Sequence, residues 1–262
     1  MALGASGQPP SIQSLVRGHE VHVWYVMTDR LTDEHLLASY HTLMNPAERK
    51  RNSRFVFPSG RREHLVTRAL IRTTLSRYHP AIDPRDWQFT ANAFGRPELA
   101  GPTREPRLRF NLSHTEGLIV CLVAVDREVG IDVENVTRRH LDEMDIADQV
   151  FSVTEVAELR ALPPLEQPDR FFDYWTLKEA YIKARGLGLQ LPLDQFSFHL
   201  RDDVPIRISF GTGIRDDPAR WQFDLRHLTP RYRLALALSR HNEPDLAVRI
   251  WPVVSGTMTT RD

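Results

Sequence analysis

Two short stretches of the chain place side chains that can do chemistry at meaningful spacings. In Val129-Gly-Ile-Asp-Val-Glu134, Asp132 and Glu134 stand two residues apart. On an extended strand alternate side chains share a face, so the two carboxylates point one way and Ile131 and Val133 the other. Hard oxygen donors paired beside an apolar face can hold a divalent cation; the solvated side of an edge strand has the same pattern. In Trp175-Thr-Leu-Lys-Glu-Ala-Tyr-Ile-Lys183, the residues Trp175, Glu179 and Lys183 recur at i, i+4 and i+8, one face of a helix. A plain surface Glu–Lys pair has this spacing too. The scarcity of lysine favours a special role: the chain has 31 Arg and only Lys50, Lys178 and Lys183. Arginine does not readily lose its proton, whereas lysine can be shifted and can transfer one.

Three further groups are candidates. Ser113 and His114 fall at the end of the strand-like run Arg107–Thr115, a usual place for ligand contacts, although a lone histidine more often has no such role. Arg49, Lys50, Arg51, Arg54, Arg61 and Arg62 form a local basic cluster, either an anion patch or solvated helix faces. Ala93-Phe-Gly-Arg-Pro97 is a turn in which Gly95 permits close approach of a ligand, although a plain turn reads the same way. There is no Walker loop, Gly-x-Gly-x-x-Gly, His-Glu-x-x-His or Cys-x-x-Cys, and the 11 His lack zinc-ligand spacing.

The elements that must position these residues follow from periodicity. Strands are predicted at Glu20–Met27, Trp87–Thr90, Arg107–Ser113, Leu118–Val125 and Val129–Glu134, then near Gln195–Leu200, Pro205–Phe210, Trp221–Leu225, Tyr232–Leu238 and Leu246–Trp251. Helices are predicted at Thr32–Leu43, from Asn45-Pro46 through Arg54, at Ser59–Tyr78, Arg139–Val150, Val153–Leu162 and Pro168–Arg185, the last closed by Gly186. Helices plus antiparallel-looking strands in each half read as an α+β fold with a possible internal duplication. We divide the 262 residues into a flexible tail 1–18, an N-terminal half 19–126, a C-terminal half 127–252 and a flexible tail 253–262.

Composition excludes several classes. Lys+Arg and Asp+Glu are both 34, so no bulk cationic field points to nucleic acid or an anionic membrane. The single Cys121, inside an apolar run, cannot form an intrachain disulfide and fits a reducing cytosol. No secretory signal or membrane-length apolar run stands out, so a cytoplasmic protein is expected.

In order along the chain, Phe94-Gly-Arg-Pro97, Asn111-Leu-Ser-His114, Gly130-Ile-Asp-Val-Glu134 and Trp175-Thr-Leu-Lys-Glu-Ala, with 43 positions between Asp132 and Trp175, resemble the Sfp-type 4'-phosphopantetheinyl transferases. Gly186-Leu-Gly-Leu-Gln-Leu-Pro192 continues the likeness, which covers roughly residues 20–240. The resemblance implies a pseudo-dimer of two similar halves with coenzyme A between them. It implies transfer of the phosphopantetheine arm to a serine of an apo acyl, peptidyl or aryl carrier protein by a monomeric, Mg²⁺-dependent enzyme. On that footing Asp132, Glu134 and Glu179 would gather on Mg²⁺, and Glu179, or a water it orients, would take the serine proton. Lys183 would serve the leaving phosphate. Lys178, His114 and Ser113 would meet phosphate oxygens, and Arg51, Arg54, His64, Gly95 and Arg96 would hold the adenine and 3'-phosphate end.

Two positions depart from the family pattern: Glu48 stands where a basic residue is common, with Arg49 or Arg51 able to compensate, and His64 where a small polar residue is common. The apolar residues of Val136–Phe151 (Leu141, Met144, Ile146, Val150 and Phe151) would dock a carrier helix or simply pack in the core. A non-catalytic coenzyme A or carrier-binding module and a generic Mg²⁺ phosphohydrolase are the competing readings.

Overall fold

The computed structural model describes residues 10–17, 19–100, 105–137, 143–241 and 243–253. In chain order the elements are α1 (Ile12–Arg17), β1 (Glu20–Met27), α2 (Glu34–Leu43), α3 (Pro46–Asn52), α4 (Pro58–Tyr78), β2 (Phe89–Ala91), β3 (Pro97–Leu99), β4 (Leu108–Thr115), β5 (Leu118–Val125), β6 (Val129–Asn135), α5 (Glu143–Val150), α6 (Val153–Ala161), α7 (Gln167–Arg185), β7 (Phe196–His199), β8 (Arg207–Phe210), β9 (Trp221–Thr229), β10 (Tyr232–Ser239) and β11 (Ala247–Pro252). Strand, three helices, hairpin, two strands: this order occurs once from β1 to β5 and again from β6 to β10. The α+β class and the internal repeat are therefore visible in the element order itself.

Local chemistry sets the helix starts. Asp33 caps α2 through bonds to the His35 and Leu36 amides, and capping boxes open α3 (Asn45 with Glu48) and α6 (Ser152 with Glu155). Gly186, at φ 63°, closes α7 in the left-handed conformation that glycine adopts without strain.

The strands form two main sheets, ordered β11-β1-β5-β4 and β6-β10-β9. Their facing sides meet in one apolar layer that includes Val21, Val23, Leu118, Val120, Leu122, Ile131, Val133, Leu234 and Leu236. Helices α2 and α4 cover the outer side of the first sheet, and α7 covers the outer side of the second. Central β5 is buried along its whole length, which explains its unbroken apolar run.

Two expectations need correction. Residues 12–17 of the expected tail form α1, which sends Leu15 into the core. The final strand does not belong to the C-terminal half: β11 pairs parallel with β1, Trp251 stacks on Trp24 at 5.4 Å, and the Val253 amide donates to the Tyr25 carbonyl. Apolar burial beside β1 overrides sequence proximity there. Of the two readings of the Val136–Phe151 stretch, core packing holds for its described apolar residues: Ala147 and Phe151 are buried, and Val136, Met144, Ile146 and Val150 pack on the same core. Leu141, residues 1–9 and residues 254–262 lie outside the described residues. No described helix is long and apolar enough to cross a membrane.

Candidate active site

The two sheets meet where β4 runs beside β6, and side chains stitch the seam. Asn111 Oδ1 accepts from the Ile131 amide at 3.0 Å, and Ser113 Oγ accepts from the Val133 amide at 3.3 Å. On the other side α7 lies directly on β6. A Cβ added at Gly130 would stand 2.0 Å from the Ala180 carbonyl oxygen and 2.4 Å from the Ala184 nitrogen. Only glycine permits this approach. Asp132 and Glu134 share Gly130's helix-facing side of the strand, so they meet the stripe of α7 that carries Trp175, Glu179 and Lys183.

The contacts are short and specific. Lys183 Nζ lies 2.5 Å from Asp132 Oδ1 and donates to Ser113 Oγ at 2.9 Å. Ser113 in turn donates to Asp132 Oδ1 at 2.8 Å. The Trp175 indole donates to Glu134 Oε1 at 3.0 Å and fixes that carboxyl. Burial, reinforced by the Asp132 charge, raises the Glu134 carboxyl to about 7. Burial and the same Asp132 charge raise Glu179, and Lys183 opposes the shift. A raised carboxyl is a better proton acceptor near neutral pH.

Beside this group opens a cavity of about 310 Å³. Glu179 and Lys183 form part of one wall, and Phe94, Gly95, Arg96 and Leu112 contribute to the rest.

The oxygen donors fit a hard cation. Asp132 Oδ2 is buried and has no hydrogen-bond partner, which leaves an acceptor without its complement. Carboxylate oxygens alone suit Mg²⁺, which commonly takes one or two of them and completes its shell with water and substrate phosphate. Among the described residues, however, no three His, Cys, Asp or Glu side chains gather into a ready cage. The expected three-carboxylate clamp is not preassembled among the described residues, and the Lys183 ammonium lies against Asp132 Oδ1.

The other expected residues divide. Lys178 does not face the cavity, contrary to its expected phosphate contact. One residue before Glu179, it points about 100° around the helix and is completely buried. Its Nζ meets Glu155 Oε2 and the carbonyls of Leu193 and Phe196, each at 2.7 Å, and lies 4.2 Å from the Phe196 ring centre. It is a core cation. Arg96 lines the cavity, but its guanidinium is engaged by the Ala184 carbonyl at 2.9 Å and Glu98 at 2.7 Å. His114 is exposed beside Ser113, with Nδ1 3.1 Å from Glu63 at the start of α4. His64 contacts Asn52 at 3.1 Å, and burial, with Arg68 and Arg51 nearby, lowers it to about 4, so it is neutral at pH 7. Arg51 and Arg54 are exposed around α3, outside the cavity lining. Glu48 is structural: it closes the α3 capping box and pairs with Arg68 and Arg72 at 3.0 and 2.8 Å.

Several partners escaped sequence reasoning. Glu155 was signalled only as the last residue of a Ser-x-x-Glu capping box, and nothing local ties it to Lys178. Asn92 was signalled by its place three residues before Gly95 in a turn.

A sequence profile of the 4'-phosphopantetheinyl transferase superfamily matches residues 128–237, and one described as 4'-phosphopantetheinyl transferase, N-terminal, matches residues 32–127. The chain is 33% identical over 201 residues to the 4'-phosphopantetheinyl transferase HetI of Nostoc sp., an alignment covering 77% of this chain and 82% of that protein. It is 28% identical over 224 residues to the 4'-phosphopantetheinyl transferase Sfp of Bacillus subtilis, covering 85% and 94%. Among solved structures, the holo-(acyl-carrier-protein) synthase of Bacillus anthracis in complex with CoA (3',5'-ADP) overlaps 43% of this chain and 94% of that one, at 16% identity and a TM-score of 0.36.

Proposed function

The chain belongs to the 4'-phosphopantetheinyl transferase superfamily, and we propose that it moves the phosphopantetheine arm of coenzyme A to a serine hydroxyl of an apo carrier protein. Adenosine 3',5'-bisphosphate is the other product. The observation that supports this most directly is the contact of Lys183 with Asp132 and Ser113 at the wall of the cavity, with Glu179 on the same wall.

In the reaction the serine oxygen forms a bond to the β-phosphorus of the pyrophosphate, and the bond from that phosphorus to the bridging oxygen breaks. Glu179, its carboxyl raised by burial, receives the serine proton directly or through a water. Lys183 stands ready to hold or protonate the departing phosphate, with Asp132 and Ser113 fixing its Nζ. Trp175 keeps Glu134 in place. Asp132, Glu134 and Glu179 would hold Mg²⁺, which would supply charge neutralisation at the phosphates. The cavity takes part of coenzyme A, and His114, on an exposed strand end, is offered to its phosphates. The internal repeat supplies both sides of the site in one chain, so the enzyme acts as a monomer, and its setting is the cytoplasm.

Intact-mass measurement of an apo acyl carrier protein, incubated with the enzyme, coenzyme A and Mg²⁺, tests this reading. The expected result is a gain equal to one phosphopantetheinyl group, abolished by EDTA. Unmodified acyl and peptidyl carriers alongside intact coenzyme A binding would favour a binding module instead.

A further inference from the structure

The turn between β2 and β3 belongs to the N-terminal half, yet it grips the end of α7 in the other half. Asn92 Oδ1 accepts from the Phe94 and Arg96 amides, both at 2.9 Å, and so shapes the turn. Its Nδ2 donates across the seam to the Gly186 carbonyl at 2.8 Å. Arg96 adds a second donor to the Ala184 carbonyl. The last carbonyls of a helix lack partners within it and carry partial negative charge, so an amide N–H and a guanidinium are fitting caps. Gly186 admits the contact, since a Cβ there would stand 2.7 Å from an Arg96 nitrogen.

Lys183 immediately precedes the gripped Ala184. Phe94 and Gly95, in the same turn, line the cavity; Asn92 does not. We propose that Asn92 is a positioning residue: it fixes the last turn of α7 so that Lys183 stays on Asp132 and Ser113, and it couples occupation of the cavity to that alignment. The inference rests on the transferase reading for its kinetic effect, but not for its structural one.

Asn92→Asp separates the two roles of this side chain. It keeps the Oδ1 acceptor that shapes the turn and replaces the Nδ2 donor with an oxygen facing the Gly186 carbonyl. For the variant we expect kcat to fall about tenfold while KM for coenzyme A changes less than about threefold. Amide hydrogen exchange across residues 183–188 should quicken. In the wild type, added coenzyme A should slow exchange both at residues 94–96 and at residues 183–188, an arm that needs no variant. Exchange unchanged at 183–188 in both experiments would overturn the proposal, as would a kcat equal to wild type. A loss of kcat matched by an equal loss of folded protein would also overturn it. If the wild type transfers nothing to any carrier, the transferase reading fails while the exchange data still decide the clamp.

Discussion

Lys183 Nζ and Asp132 Oδ1 lie 2.5 Å apart across the contact between α7 and β6, and Ser113 bonds to both. One carboxylate oxygen and the hydroxyl of β4 therefore both accept from the ammonium and orient it. Arginine would keep the charge but bring a longer, planar group that does not readily surrender a proton. Lys183→Arg should lower kcat by about 10²–10⁴-fold at saturating coenzyme A. Single-turnover transfer to an apo carrier measures it; full retention would remove Lys183 from any proton transfer.

Glu179 is placed to take a proton, and Gln keeps its shape while removing that capacity. Glu179→Gln should reduce transfer by about 10²–10⁴-fold. Coenzyme A binding, followed by calorimetry, should remain measurable. Near-normal turnover would assign the base elsewhere.

Lys178 tests the distinction between motif and site. Removing one partner of a fully buried ion pair leaves an uncompensated charge, so Lys178→Met should destabilise the protein by about 3–5 kcal/mol. The double variant Lys178→Met with Glu155→Gln should recover part of that loss. Urea unfolding gives both values. A raised KM for coenzyme A at unchanged stability would restore Lys178 to the phosphate.

His22 should make the fold acid-sensitive. It is completely buried, with Nδ1 2.7 Å from the Tyr78 hydroxyl and Nε2 3.1 Å from Glu20 Oε2. Burial lowers it to about 4, against the pull of Glu20 and with a small push from Arg249. Between pH 6.5 and 4 the unfolded chain takes up a proton at this position and the folded chain does not. Its contribution is full above the unfolded value and is lost as pH falls through that window, by about 3 kcal/mol. Urea unfolding at about pH 7 and about pH 4.5 should show a smaller difference in His22→Asn than in wild type; equal differences would falsify the assignment.

Short-range periodicity showed how the site is arranged but not what surrounds it. Alternation placed Asp132 and Glu134 on one face, and the i, i+4, i+8 spacing placed Trp175, Glu179 and Lys183 on one stripe; both placements hold in the structure. Adjacency misled at Lys178, because neighbours on a helix face different surroundings and its partner Glu155 arrives from α6. Arg96 was legible as a turn residue near the site, but its bond to Ala184 spans 88 positions of sequence. The pairing of β11 with β1 was hidden for the same reason: strand alternation reports a buried face, not the neighbour at the edge.

That last pairing bears on how the protein is made. Glu20 and Arg249, joined at 3.0 Å, are 229 positions apart. As the chain leaves the ribosome, β1 emerges early and its outer edge stays open until β11 follows much later in synthesis. An unpaired edge is a template for wrong partners. The N-terminal half is thus the first to be translated and the last to be completed.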